Sequence, residues 1–328
     1  MKRLDTVTLR DVEEAAQRLR GVAVRSPLIE CPALDELAGG RVLLKPECLQ
    51  RTGSFKIRGA YNMMSQLDEA QRARGVVAFS SGNHAQGVAA AGAMLGIHAA
   101  IVMPEDAPQA KIENTRRLGG ETILYDRYTG DREQIAREVA AQRGAVLVPS
   151  YDHPDIIAGQ GTVGLEIMQE CGADQPDQVL VCCGGGGLIA GCATVIRALS
   201  PGTAVHPVEP EEFDDTARSL RAGKRLANDA SARGICDALQ AVTPGKLTFE
   251  LNMKLLAEGI VVSERAVREA MRFAFRELKM VVEPGGAVAL AAALSGQVVC
   301  RGRRTVLVLS GGNVDTGLFN DIQSEHAD

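Results

Sequence analysis

The stretch VVAFSSGNHAQGVAAAGAMLGIHAAIVMP, residues 76–104, decides the fold. It opens and closes on short apolar runs, 76–79 and 98–103, of the length and composition of strands buried on both faces. Between them, residues 83–95 are Ala-rich and read as a buried helix. The window 87–104 is nearly free of charge, but Gly96 and His98 interrupt it, and its Ala-rich half is too short to span a bilayer. Strand, helix, strand is one βαβ unit, and the pattern continues outward. ETILY (121–125) and AVLVP (145–149) supply two more strands, with helices predicted over 107–118 and 130–143. The runs VLLK (42–45), QVLVC (178–182), TAVHPV (203–208) and TVLVLS (305–310) lie outside that unit and must form a second sheet. The predicted architecture is α/β, with two open twisted sheets: a small domain over 75–148 and a large one formed by 1–74 and 149–328. A ligand is expected in the cleft between them, beyond the carboxyl ends of the strands.

Composition narrows the partners. The chain has 328 residues with 36 Lys and Arg against 41 Asp and Glu, a net charge of −5, and no long basic run. Nucleic acid and anionic membranes are therefore poor partners, and a small molecule is the better one. With no Trp, four Tyr and seven Phe, no aromatic platform for stacking bases is expected. The eight cysteines, at 31, 48, 171, 182, 183, 192, 236 and 300, form no C-x-x-C and read as reduced, buried thiols. The first twenty residues lack the apolar core of a secretory signal or anchor, so a cytoplasmic protein is expected.

Four segments have residue types suited to chemistry. Ser80-Ser81-Gly82-Asn83-His84 joins a strand to a helix, where small polar residues and free N–H groups suit an anion, although a helix cap explains the same residues. Gly184-Gly185-Gly186-Gly187-Leu188 follows another strand. Four consecutive glycines are costly in chain entropy and imply backbone that a ligand approaches closely, most naturally a phosphate. The same run fits G-x-G-x-x-A through Ala190, and Glu209 stands nineteen residues beyond, where a dinucleotide fold places its ribose acid. Lys56, between Phe55 and Ile57, is a candidate desolvated amine and nucleophile; a surface lysine at a helix start is the plainer alternative. Ser310-Gly311-Gly312-Asn313 again places a hydroxyl and glycines at a strand's carboxyl end, as an ordinary turn also would.

Taken together and in order, TGSFKIRGA (52–60), SSGNHAQGVA (80–89), IAGQGT (157–162), GGGGLIAG (184–191), EPGGAVALAA (283–292) and SGGNVD (310–315) resemble the fold type II pyridoxal-phosphate enzymes. Within them the likeness is to the threonine/serine dehydratase and serine racemase branch, whose fold is tryptophan synthase β-like with the cofactor in the interdomain cleft. The resemblance implies that Lys56 binds the cofactor aldehyde and removes the substrate α-proton, and that Phe55 lies against the pyridine ring. Asn83 would bond the ring's phenolic oxygen, while Ser81, Gly82, Asn83 and His84 would hold the substrate carboxylate. Gly184, Gly185, Gly186, Gly187 and Leu188 would bind the 5′-phosphate, and Ser310 would face the pyridine nitrogen. A serine there leaves the ring nitrogen neutral, a weaker electron sink that favours β-elimination over transamination. Ser81 would carry a hydroxyl on the ring face opposite Lys56, where it can return a proton.

The resemblance also implies a divalent cation, Mg²⁺, Mn²⁺ or Ca²⁺, held by Glu209, the Phe213 carbonyl and Asp215; an acidic helix start is the plainer reading of those residues. Ala238 stands where the family has glycine. Arg127, in YDRYTGDRE (125–133), is a candidate contact for a second substrate carboxylate. The expected activity is dehydration and deamination of L-threonine and L-serine by a homodimer. Serine racemase, a dehydratase of 3-hydroxyaspartate or another 3-hydroxy amino acid, and a dinucleotide-binding protein without lyase activity are the alternatives.

Overall fold

The computed structural model describes residues 6–107, 109–126 and 128–325. The larger sheet contains β1 (Ile29–Glu30), β2 (Arg41–Pro46), β7 (Gln178–Cys182), β8 (Ala204–Pro210), β9 (Ile260–Val262) and β10 (Arg304–Leu309), in the order β1-β2-β10-β7-β8-β9. The smaller contains β3 (Val76–Phe79), β4 (Ala99–Pro104), β5 (Glu121–Tyr125) and β6 (Val146–Leu147), in the order β5-β4-β3-β6. Every pairing is parallel except β1 with β2. The apolar runs found in the sequence are these strands. The exceptions, β1 and β9, have two and three residues, too few to show a pattern.

The helices between the small sheet's strands are Asn83–Leu95, Gln109–Arg117 and Arg132–Arg143. The first and last end at Gly96 and Gly144, whose φ of 66° and 61° lies in the left-handed region that glycine reaches without strain. Asp131 starts the last of them by accepting from the N–H groups of Glu133 and Gln134.

In the large sheet, β7 is buried throughout and β10 at all but its first residue, as parallel strands covered on both faces should be. Helices Lys56–Met64, Pro154–Cys171 and Gly187–Leu199 pack there almost backbone to backbone. A Cβ on Gly191 would stand 2.3 Å from Ile157 O, and one on Gly159 would stand 2.5 Å from Arg58 O. The glycines of IAGQGT and of Gly191 are therefore the contact seam between helices. Beneath the first helix, the fully buried Arg58 donates to both carboxylate oxygens of Glu47, at 2.7 and 2.8 Å, and to Glu166 at 2.7 Å. Burial alone would push the Glu47 carboxyl up, but the Arg58 and Lys45 charges more than reverse it. This paired cluster holds the turn that presents Lys56.

All eight cysteines are free and buried. Among the described residues no helix is long and apolar enough to cross a membrane.

Candidate active site

Parallel register brings the carboxyl ends of three large-sheet strands together. Leu309 lies beside Pro46, and Leu307 beside Leu180, so the loops after β2, β10 and β7 emerge on one edge. The first carries Lys56, the second Ser310 and the third the four glycines. Residues 52–55 are wedged against 310–313: Ser54 bridges Gly311, the Phe55 N–H donates to Ser310 O at 3.2 Å, and Asn313 Nδ2 donates to Thr52 O at 2.7 Å. The fit needs Gly53, because a side chain there would collide with Asn313 at 2.6 Å and its φ is 70°.

Lys56 opens the helix Lys56–Met64. Its Nζ donates to Ser150 O at 2.9 Å and lies 5.1 Å from the centre of the Phe55 ring. Burial pulls the amine down to about 8, so a useful fraction is uncharged near neutral pH. No carboxylate forms a salt bridge with it among the described residues.

Asn83 reaches across from the small sheet. Its Nδ2 donates to Glu283 Oε1 at 2.6 Å and its Oδ1 accepts from Asn313 Nδ2 at 2.7 Å, which ties it to the Lys56 and Ser310 loops. Glu283 is fully inside, and burial followed by repulsion from Asp237 raises its carboxyl to about 7. In the sequence, the signal for Glu283 is a single glutamate at the head of the uncharged apolar run EPGGAVALAA. The His84 Nε2–H donates to Val148 O at 2.9 Å and burial drives its ring down to about 3, so the imidazole is neutral and turned inward. What His84 can offer an anion is its backbone N–H at the helix start. Ser310 lies beside the Cys182 thiol, which burial pushes up to about 11.

The glycine loop is shaped by what surrounds it. A side chain at Gly185 would run into the Tyr151 ring at 2.4 Å, and one at Gly187 would meet Gln160 Oε1 at 2.6 Å. Gly186 has φ of 91° and caps the helix Gly187–Leu199 without a side-chain bond. The helix start therefore offers backbone N–H donors and the positive end of its dipole to an anion, with Leu188 buried behind. Thr248 Oγ1 steadies the loop by donating to Gly185 O at 2.7 Å. Ala238 borders it, 3.5 Å through its carbonyl from where a Cβ on Gly184 would stand, and its own Cβ is 3.2 Å from that of a side chain at Gly285.

A pocket of about 340 Å³ opens at the carboxyl ends of the small sheet, lined by Ser81, Pro104, Tyr125, Gly130, Asp131 and Arg132. Arg132 has its guanidinium carbon 5.9 Å from the centre of the Phe79 ring and forms no ion pair with any described residue. It belongs to the YDRYTGDRE segment singled out in the sequence, where Arg127 was the candidate. Arg127 lies outside the described residues.

Glu209 is the penultimate residue of β8 and has no exposed surface. Its Oε1 accepts from the Thr216 N–H at 2.9 Å and its Oε2 from the Ala217 N–H at 2.7 Å. It is thus engaged at a helix start, and the dinucleotide reading gains no support from it. Asp215 accepts from Asn228 Nδ2 at 2.7 Å through Oδ1, while its buried Oδ2 has no partner among the described residues. Burial lifts Glu209 to about 8, with the Asp215 charge adding to it, and lifts Asp215 to about 6. Among the described residues no three His, Cys, Asp or Glu side chains gather as a metal set. A cation here would rely on two carboxylates and a backbone oxygen.

Residues 19–311 match the family described as pyridoxal-phosphate dependent enzyme. The chain is 47% identical over 305 residues to an L-threo-3-hydroxyaspartate ammonia-lyase of Pseudomonas sp, covering 93% of this chain and 95% of that one. It is 42% identical over 318 residues to the L-threonine ammonia-lyase of Thermotoga maritima, covering 96% and 78%. The structure of maize serine racemase superposes with a TM-score of 0.91 at 37% identity, covering 96% of each chain. Sequence, fold and the convergence of a low-pKa lysine with a glycine cradle agree: the chain belongs to the fold type II pyridoxal-phosphate-dependent enzymes, in the branch of dehydratases and serine racemases.

Proposed function

We propose that the protein is an ammonia-lyase that dehydrates and deaminates 3-hydroxy amino acids, and that it prefers a substrate with a second carboxylate, 3-hydroxyaspartate, to L-threonine and L-serine. The observation that carries the preference is Arg132: a guanidinium without an ion-pair partner among the described residues lines the same pocket as Ser81. A planar fork of N–H donors binds a carboxylate in two bonds and gains nothing from the methyl of threonine. The likeness to hydroxyaspartate ammonia-lyases points the same way.

The residues fit the cofactor that the family uses. Tyr151, Asn252 and Gln160 exclude side chains at Gly185, Gly186 and Gly187, so the loop can offer only backbone, and register puts the Lys56 loop on the same sheet edge. Gly184, Gly185, Gly186, Gly187 and Leu188 would hold the phosphate, Lys56 the aldehyde carbon, Phe55 and Asn83 the ring, and Ser310 the ring nitrogen. When bound, pyridoxal phosphate supplies the electron sink that weakens the substrate's α-C–H bond. Lys56, uncharged in part near neutral pH, takes that proton. The N–H groups from Ser81 to His84 hold the α-carboxylate, and Arg132 holds the second. The β-hydroxyl leaves as water with the proton that Lys56 has taken, and a water returns when the unsaturated amine is hydrolysed, so the net products are a 2-oxo acid and ammonia. Ser81, which lines the pocket, is the candidate for returning a proton to the opposite face, the step that racemisation would need.

The cation also fits. The unpartnered Asp215 Oδ2 and the buried Glu209 carboxylate are hard oxygen donors, and with the Phe213 carbonyl they would hold Mg²⁺, Mn²⁺ or Ca²⁺ as a structural or activating ion.

The test is a panel of L-threo-3-hydroxyaspartate, L-threonine and L-serine assayed for both oxo-acid release and enantiomer formation. Arg132→Met should raise KM for the dicarboxylic substrate roughly ten- to a hundredfold, the loss of a charge-assisted pair, and change serine turnover little. If threonine or serine is the better substrate and Arg132→Met handles all three like the parent, the preference is wrong. If serine enantiomers interconvert faster than pyruvate appears, the enzyme is a racemase.

A further inference from the structure

Asn252 lies on the helix Lys246–Leu255, has no exposed surface, and neither of its side-chain amide atoms has a hydrogen-bond partner among the described residues. Buried amides are almost always paired, so one with both atoms unmet marks a place where something else supplies the partner. The amide points at the glycine loop: Nδ2 is 2.8 Å from where a Cβ on Gly186 would stand. Thr248, one turn earlier on the same helix, already donates to Gly185 O, so that loop carbonyl has its bond. The helix start beside it, at Gly186 and Gly187, has no side-chain cap. A neutral N–H donor thus faces the loop whose uncapped helix start is read above as the phosphate cradle.

We propose that Asn252 is a side-chain ligand of the phosphate cradle, its Nδ2 donating to a phosphate oxygen of bound pyridoxal phosphate. The inference rests on the cofactor reading above. A carboxamide suits the position because it adds a directed bond to the dianion without adding charge, and the helix start and loop N–H groups already supply the electrostatic attraction.

The experiment uses the full chain freed of cofactor and titrated in parallel with pyridoxal phosphate and with pyridoxal, which lacks the phosphate. Covalent capture is read by absorbance, and the loaded protein by phosphorus NMR. Asn252→Leu should lose roughly ten- to a hundredfold in affinity for pyridoxal phosphate, the range for a hydrogen bond to a charged group, while its affinity for pyridoxal stays at the parent value. The phosphorus resonance should move. The cofactor-free variant should melt at or above the parent temperature, because two unmet polar atoms are replaced by apolar surface of similar shape. Asn252→Asp should bind pyridoxal phosphate more weakly still, with a carboxylate facing the dianion.

Equal loss for both ligands, or a lowered melting temperature in the cofactor-free Leu variant with no change in phosphate preference, would make Asn252 a packing residue and overturn the proposal. If the parent chain captures pyridoxal phosphate and the Leu variant captures it equally well, only the role of Asn252 falls. If the parent captures none, the cofactor reading falls and this proposal with it.

Discussion

Lys56 shows how far one residue's chemistry depends on its surroundings. A free lysine is about a thousandfold short of uncharged amine at neutral pH, since its ordinary pKa is about 10.4. Burial lowers Lys56 to about 8, with no salt bridge to oppose it. Deprotonation makes the amine nucleophilic, so capture of pyridoxal phosphate by the cofactor-free chain should accelerate as pH rises and level off above about 8. Stopped-flow absorbance across that range reads this directly; a midpoint near 10.5 would mean that the amine is solvated. Lys56 itself was legible in the sequence because its context, SFKIRGA, is contiguous. Arg132 was not, because nothing in the local pattern of YDRYTGDRE marks its side chain as one that lines a pocket with Ser81.

At the scale of elements, two features rest on close backbone contact. The helices Pro154–Cys171 and Gly187–Leu199 meet through glycines, and a Cβ on Gly191 would press on Ile157 O at 2.3 Å and on Gly161 N at 2.6 Å. Both are backbone atoms of a packed helix and cannot swing aside. Gly191→Ala should therefore destabilise by about 1–3 kcal/mol, outweighing the helix propensity that alanine adds, as denaturant unfolding of the variant will measure. The helix Asp215–Ala222 starts on the buried Glu209 carboxylate. If a cation shares that site, chelator treatment should lower the melting temperature, and Mg²⁺, Mn²⁺ or Ca²⁺ should restore it through preferential binding to the folded state. In Asp215→Asn, which lacks one charged ligand, the chelator should have little effect. Unchanged melting and activity of the parent under chelation would count against the ion. In sequence the acidic run 209–215 reads as either a helix start or a ligand set; in the structure Glu209 accepts from the first N–H groups of that helix.

For the whole molecule, what matters is how the small sheet's elements face the large one. Lys111, on the helix Gln109–Arg117 beside β5, donates to Asp237 Oδ2 at 2.6 Å, 126 residues along the chain. Asp237 is 51% exposed at its side chain, so the pair adds little stability, about 0–1 kcal/mol. It joins a helix of the small sheet to the segment that borders the glycine loop, which gives it a second consequence. Lys111→Met should leave the melting temperature nearly unchanged but raise KM, and high salt should bring the parent toward the variant by screening the pair. A KM that ignores both the substitution and the ionic strength would show that the contact does not hold the cleft.

The sequence by itself determined the alternation of strands and helices, the parallel sheets, and the loops at 52–56, 80–84, 184–188 and 310–313, because each is encoded by neighbours within a few positions. Short-range patterning cannot carry what depends on distant segments meeting. Only the tertiary structure set Asn83 against Glu283, placed Tyr151 and Asn252 around the glycine loop, and turned His84 away toward Val148. It also gave the glycines two uses: Gly185, Gly186 and Gly187 leave room for the side chains of Tyr151, Asn252 and Gln160, whereas Gly159, Gly161 and Gly191 leave room for another helix. In sequence the two kinds are alike, since a missing Cβ says that something comes close but not what; that is decided by whichever backbone or cavity the fold brings there.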